Sequence, residues 1–320
     1  MSNFAGLRAG LPVRAVLMVG VVTLLASQAL VAQAPSPPPP LIKPEGLKAI
    51  SEHVQVIRDN SVPLVPNIGY IIGDKAVLVI DTGLGPRNGE VVFAVAQRLA
   101  GSRPIYLAVT HVHPEHDLGA QAFSAETKLI RSADQQKDIA EFGLDLAKVF
   151  AGRSAINAEL LKGADFRKPD IVFDKQYDLD LGGVIARLFA AGPNHTRGDV
   201  AVWIERDRVL FAGDLAMRAQ PAFASPYSSI QQWFATLDRL ETLKPGVIVP
   251  SHGALGDGGF ITGYRNYLKE VLDRTSVDKK AGRSADATVE NVTAAMVERY
   301  PDRGRLAGAI KAAYANVRSE

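Results

Sequence analysis

Residues 105–119, Ile-Tyr-Leu-Ala-Val-Thr-His-Val-His-Pro-Glu-His-Asp-Leu-Gly, constrain the fold more than any other part of the chain. Ile105 to Val109 is an apolar run of the length and composition of a buried strand. It ends in His111, His113, Glu115, His116 and Asp117. A core strand does not end in such a cluster for packing reasons. Neutral imidazoles and carboxylates are ligands of a divalent transition ion such as zinc.

The same arrangement recurs along the chain. Val184 to Phe189 is followed by His195, Val209 to Phe211 by Asp214, and Val247 to Val249 by His252. Asp81 stands in a similar place after Val77 to Ile80. Five of the six histidines lie at such strand ends, and the sixth, His53, reads as a surface residue. Ligands fixed at strand ends sit on rigid elements while their side chains point into one cleft. No Gly-x-Ser-x-Gly elbow and no phosphate loop competes with this site.

Other elements follow from periodicity. Strands are expected at 54–58, 67–72, 171–173 and 200–204, with a hairpin-like stretch leading to Gly182-Gly183. Helices are expected at 90–99, 132–141 (with Ser132 as N-cap) and 229–243 (with Trp233, Leu237 and Leu240 inward). Residues 142–170 read as irregular helix with Leu144, Leu146, Val149 and Phe150 as the apolar face, an active-site lid or else a packed insertion. Residues 276–320 change character: Lys279 to Ser284 reads as a loop and 287–299 and 305–317 as two short helices, without a chemical motif. Strands feeding amphipathic helices in both halves imply two packed sheets with helices outside, an α/β fold.

Arg8 and Arg14, with no acidic residue before Glu45, precede the mostly apolar stretch Ala15 to Leu30. Ala32-Gln33-Ala34 fits a signal-peptidase site, with cleavage after Ala29 as the alternative. Residues 1–34 therefore read as an export signal, with an uncleaved membrane anchor as the alternative, and 35–44 as a stiff Pro-rich linker. The folded domain is expected over 45–275 and a helical extension over 276–320. The expected location is periplasmic or secreted, with no membrane attachment after cleavage. Net charge is +2 for the whole chain and falls to zero without Arg8 and Arg14 (36 − 2 basic against 34 acidic residues), so no nucleic-acid partner is implied. The absence of cysteine excludes disulfides, thiolate metal sites and a lipoprotein anchor.

Taken as a set and in this order, Asp81-Thr-Gly, His111-x-His113-x-Glu115-His116, Gly192-Pro-Asn-His195-Thr, Gly213-Asp214 and Ser251-His252-Gly253 resemble the metallo-β-lactamase superfamily over residues 45–270. The resemblance implies a four-layer αβ/βα sandwich with the site at one edge. It implies a first zinc held by His111, His113 and His195. A second would be held by Glu115, His116 and His252, with Asp214 bridging both. Wording around Pro221 and Trp233 is similar to the exported quinoprotein relay system zinc metallohydrolases. The family's usual residue at position 115 is aspartate. The longer glutamate raises the prospect of a displaced, weaker or absent second ion. Many true β-lactam-hydrolysing members carry a cysteine near Asp214, which this chain lacks.

These readings lead to an exported zinc-dependent hydrolase with one or two Zn2+ ions. A metal-bound hydroxide would attack an ester, lactone or amide carbonyl of a small-molecule substrate. Glu115 would orient that nucleophile and accept its proton. Thr196, Asp199 and Asp81 are candidates to fix the histidine rings, or else turn formers. Arg218 and Tyr227 are candidate substrate contacts, or ordinary surface and packing residues. Alternatives are a β-lactam hydrolase, an iron enzyme on the same fold, and a weakly active or non-catalytic periplasmic metal-binding accessory protein.

Overall fold

The structure is a computed structural model that describes residues 38–217 and 227–317. The expected export signal, Arg218 and Pro221 lie outside the described residues. Seven strands form a first sheet in chain order: β1 (Leu47–Ala49), β2 (Val54–Ile57), β3 (Ile68–Ile72), β4 (Val77–Ile80), β5 (Ile105–Ala108), β6 (Lys128–Ser132) and β7 (Ile171–Phe173). Its first four strands pair antiparallel, and from β4 onward the pairing is parallel. A second sheet holds β8 (Gln176–Asp180), β9 (Ile185–Ala190), β10 (Val200–Ile204), β11 (Val209–Gly213) and β12 (Val247–Pro250), in spatial order 12-11-10-9-8.

Parallel neighbours need a crossover, and the amphipathic segments supply it. Helix α1 (Pro86–Ala100) joins β4 to β5, and the one-turn α2 (Pro114–Asp117) follows β5. Then come α3 (Ala133–Asp138), α4 (Leu144–Ala151), α5 (Ala155–Leu160) and α6 (Ile230–Thr242), the last joining β11 to β12. Helices α7 (Gly259–Lys280), α8 (Ala285–Met296) and α9 (Arg303–Asn316) complete the described chain. Ser132 caps α3 in a reciprocal box with Gln135, and Ser229 caps α6 by accepting from the Gln232 amide.

Successive strand residues face opposite sides, and both sides are buried. Leu78 and Ile80 enter the space between the sheets with Val54, Ile71, Leu188, Val202 and Phe211. Val79 and Leu107 face the other way, onto Val92, Val95 and Ala96 of α1. On the outer face of the second sheet, Trp203, Leu210 and Ile248 meet Trp233, Leu237 and Leu240 of α6. Each of those three α6 side chains contributes about 1.5–3 kcal/mol by leaving water. The layers are therefore helix, sheet, sheet, helix, the expected αβ/βα sandwich.

Three findings extend or correct the sequence expectations. The longest helix, α7, lies where no helix is expected and runs two residues into the expected loop. Its buried stripe of Ile261, Tyr264, Tyr267, Leu268, Val271 and Thr275 has helical spacing, but two tyrosines and a threonine weaken its apolar signal. The terminal helices α8 and α9 form where expected and pack on the core of the domain through Met296, Leu306, Ala309 and Ile310. His53 is mostly buried: its side chain is 13% exposed and its Nδ1 lies 2.9 Å from Asp207 Oδ2. Asp207 also accepts from the His53 amide at 3.0 Å, so this histidine ties β2 to the β10–β11 turn.

Candidate metal centre

The site begins at Asp81. Its φ of 64° is a left-handed conformation that aspartate tolerates, and it turns the chain sharply at the end of β4. The carboxylate then faces the end of β5. It accepts from the Thr110 amide at 2.8 Å and from Thr110 Oγ1 at 3.0 Å, and it lies 2.9 Å from His116 Nδ1. The turn role and the ring-fixing role expected as alternatives for Asp81 are both present. Gln135 Nε2 donates to Val109 O at 2.6 Å and holds the last residue of the run that launches the ligands.

Each remaining candidate is set by its own loop. His195 follows β9 in a turn closed by Asp199, which accepts from the Thr196 amide at 3.0 Å and from Thr196 Oγ1 at 2.6 Å. Thr196 and Asp199 thus shape the backbone that carries His195 rather than its ring. Burial pushes the Asp199 carboxyl up to about 7 against these hydrogen bonds. Asp214 follows an irregularity in the β11–β12 ladder between Phe211 and Gly213. Gly213 has φ +55°, and a Cβ there would stand 3.2 Å from Thr110 Cβ, so glycine fits both the turn and the close approach. Trp233 Nε1 donates to Leu215 O at 2.9 Å and fixes the segment just beyond Asp214. The His252 loop is tied down by Asn67 Nδ2, which donates to Pro250 O at 2.8 Å and Gly253 O at 3.0 Å. Asp59 Oδ2 accepts from the Gly253 amide at 2.7 Å.

Seven candidate residues from four strand ends converge: His111, His113, Glu115, His116, His195, Asp214 and His252. Their ligand atoms fall into three groups, each with all atoms within 4.8 Å of one another. The groups are His111, His113 and His195; His111, His116 and Asp214; and Glu115, His116 and His252. His113 Nδ1 lies 3.1 Å from His111 Nε2 and 3.3 Å from His195 Nε2. His195 Nε2 lies 3.3 Å from Asp214 Oδ2. Donors sharing one zinc at tetrahedral angles lie roughly 3.3–3.5 Å apart. Glu115 Oε1 is 3.8 Å from His116 Nε2 and 3.9 Å from His252 Nε2, so the longer carboxylate reaches the third group.

The outer ring nitrogens have partners that set which nitrogen faces the cluster. His116 Nδ1 meets Asp81, and His252 Nδ1 donates to Val65 O at 3.0 Å. His111 Nδ1 lies 3.1 Å from Thr110 Oγ1. Burial and the neighbouring rings hold His111 and His113 well below the usual histidine range, which favours the neutral imidazole that binds metal. Burial acts against an anionic Asp214 as well, but His195, His252, His116 and Arg305 outweigh it and hold the carboxyl low.

The chemistry of this donor set fits a divalent ion. Glu115 Oε2, His116 Nε2 and Asp214 Oδ1 are buried polar atoms without a hydrogen-bond partner. Leaving such atoms unsatisfied is costly, and an ion at the cluster would satisfy them. Asp117 is not part of the set. Its carboxylate pairs with the guanidinium of Arg131, both side chains fully buried, with Arg131 Nη2 donating to Asp117 Oδ1 at 2.6 Å.

Four members of the cluster, His113, Glu115, His195 and Asp214, form the floor of a cleft of about 400 Å3. Leu146, Val149 and Phe150 from α4, with Leu64, form an apolar wall, so residues 142–170 do border the site. Leu144 and Val149 are 57% and 58% exposed, so the expected apolar face belongs to the cleft and to solvent more than to the core. The sequence reading missed Arg153 and the C-terminal Asp302, Gly304 and Arg305, which also line the cleft. Nothing in the sequence places that turn at the site. Tyr227 is engaged by the Glu141 carboxylate, and Arg197 lies 4.2 Å over its ring centroid.

A sequence profile of the metallo-beta-lactamase superfamily matches residues 62–252. An acyl-coenzyme A thioesterase of Bos taurus is 26% identical over 204 residues, covering 58% of this chain and 72% of that protein. A linear primary-alkylsulfatase of a Pseudomonas strain is 21% identical over 232 residues, covering 63% of this chain and 43% of the relative. Among solved structures, a metallo-beta-lactamase from Pontibacter korlensis superposes with a TM-score of 0.55 at 20% identity. It covers 70% of this chain and 98% of that one. The inverting sec-alkylsulfatase Pisa1 from Pseudomonas superposes with a TM-score of 0.63 at 16% identity, over 84% of this chain and 49% of that one. With the sandwich, the strand-end ligands and the profile in agreement, the chain belongs to the metallo-beta-lactamase superfamily and is a metal-dependent hydrolase.

Proposed function

We propose that the protein is an exported zinc-dependent hydrolase of an ester, lactone or amide carbonyl, with room for two ions. His111, His113 and His195 would hold the first ion and Glu115, His116 and His252 the second, with Asp214 between them. The observation that carries this reading is the convergence of three ligand groups, with three orphaned buried polar atoms, on the floor of one cleft. When bound, the ions supply Lewis acidity and lower the pKa of a coordinated water.

The chain's own groups do the rest. Glu115 Oε1 faces the two histidines, which leaves Oε2 to hold the proton of the attacking water and pass it to the leaving group. Asp81 and Val65 O hold His116 and His252 in the tautomer that presents Nε2. Leu146, Val149 and Phe150 exclude water beside the scissile bond. The thioesterase relative supports acyl-ester chemistry over β-lactam cleavage, and the missing cysteine ligand points the same way. The reach of Glu115 removes the geometric motive for a non-catalytic accessory role. Export is supported by the basic, apolar and small-residue pattern of residues 1–34.

Metal quantification on the purified protein, with hydrolysis of an ester, lactone and lactam panel, tests this reading. Zinc in excess of iron and turnover of an ester or lactone are expected. Iron as the bound metal, or no turnover at any zinc loading, would overturn it.

A further inference from the structure

The C-terminal helix brings a charge to the cleft. Arg305 stands in the first turn of α9, which Asp302 caps by accepting from the Arg305 amide at 2.9 Å. Arg305 Nε lies 3.5 Å from Asp302 Oδ2, and its side chain keeps 28% exposure. Arg153 lines the same cleft, with its guanidinium carbon 3.6 Å from the centroid of the Phe150 ring. Both residues line the same cleft as His113, Glu115, His195 and Asp214.

With Glu115 and Asp214 committed to the centre, the other charged residues of the lining among the described residues are Arg153 and Arg305 against Asp302. The balance of that wall is one positive charge (2 − 1). Guanidinium groups receive carboxylates through paired hydrogen bonds in a fixed fork. The apolar wall of Leu64, Leu146, Val149 and Phe150 covers another side of the same space. At about 400 Å3 the cleft is in the lower part of the roughly 300–1,000 Å3 range of small-ligand sites.

We infer that Arg305 and Arg153 receive a carboxylate on the substrate, so that the enzyme prefers acidic esters or lactones over their neutral counterparts. The inference rests on the hydrolase reading above and narrows its substrate class. Arg305 is a specificity residue, and the start of α9 is part of the substrate site.

The test compares the para-nitrophenyl ester of glutaric acid with its methyl-capped neutral counterpart, using the zinc-loaded full chain. Wild type is expected to show a KM at least about tenfold lower for the acidic ester. Arg305→Gln should shrink that ratio about tenfold or more through KM rather than kcat, and Arg305→Lys should restore part of it. Arg153→Gln should act in the same direction. A second readout is calorimetric titration with hexanesulfonate, an anion that ligates metal poorly. It should bind wild type and bind Arg305→Gln at least about tenfold more weakly. Equal KM ratios in wild type and Arg305→Gln, or equal hexanesulfonate affinity in the two, would overturn the inference. If neither ester is hydrolysed, the hydrolase reading falls, and the titration still decides the anion site.

Discussion

The floor of the cleft and its mouth are built by different kinds of structure. At the floor, every candidate ligand follows a strand: β5 for His111, His113, Glu115 and His116, β9 for His195, β11 for Asp214 and β12 for His252. At the mouth, Leu146, Val149, Phe150 and Arg153 come from α4 and the turn after it, and Arg305 comes from the start of α9. The floor is buried and cross-braced by Asp81, Asn67, Asp59 and Trp233. The mouth keeps exposed apolar side chains and a cation stacked on an aromatic ring. The difference separates two jobs. A rigid floor fixes the chemistry, while a wall of helical segments can change its side chains, and so the substrate, without disturbing the ligands.

Substitutions should divide along that line. The largest effect is expected at a ligand. His195→Ala should weaken metal binding by more than about a hundredfold, beyond the range for residues that only support a ligand, and abolish turnover; chelator competition measures the first. Next is the buried pair beneath the floor. Asp117→Asn leaves Arg131 charged and unpaired, which should cost about 3–5 kcal/mol in denaturant unfolding. A small change there would mean that the floor is less rigid than its burial implies.

The floor was largely legible because its signal is local. A strand of core residues followed by His111-x-His113-x-Glu115-His116 carries both its position and its chemistry in adjacent letters. The sandwich was legible for a similar reason, since Leu78, Val79 and Ile80 alternate between two buried faces. The apolar wall of α4 was legible, but the arginines of the mouth were not, because Arg153 and Arg305 are 152 positions apart (305 − 153) and come to one cleft only through the packing of α7 to α9. The stripe of α7 was hidden by Tyr264, Tyr267 and Thr275, polar residues that still bury. The buried state of His53 depends on Asp207, a partner no spacing rule connects to it.

Smaller effects sharpen the contrast. Asp81→Asn removes the charge that orients His116, and a loss of about ten- to a hundredfold in affinity for the second ion is expected, with the first ion less affected. Trp233→Phe leaves Leu215 O buried without its donor and should cost about 1–3 kcal/mol of stability; a parallel fall in kcat would show that the segment after Asp214 has shifted. Leu146→Ala at the mouth should change stability least, by under about 1 kcal/mol for a side chain already half in solvent, while raising KM a few-fold. A mouth substitution that released metal, or a floor substitution that changed only KM, would break the division.

On the proposed reading, Glu115, though longer than the residue usual at its place, completes a second metal position with His116 and His252. Metal stoichiometry by plasma mass spectrometry on wild type and Glu115→Gln, both saturated with zinc and freed of excess, tests it directly. Two zinc ions per chain are expected in wild type and one in Glu115→Gln. A single ion in wild type, unchanged by the substitution, would contradict it.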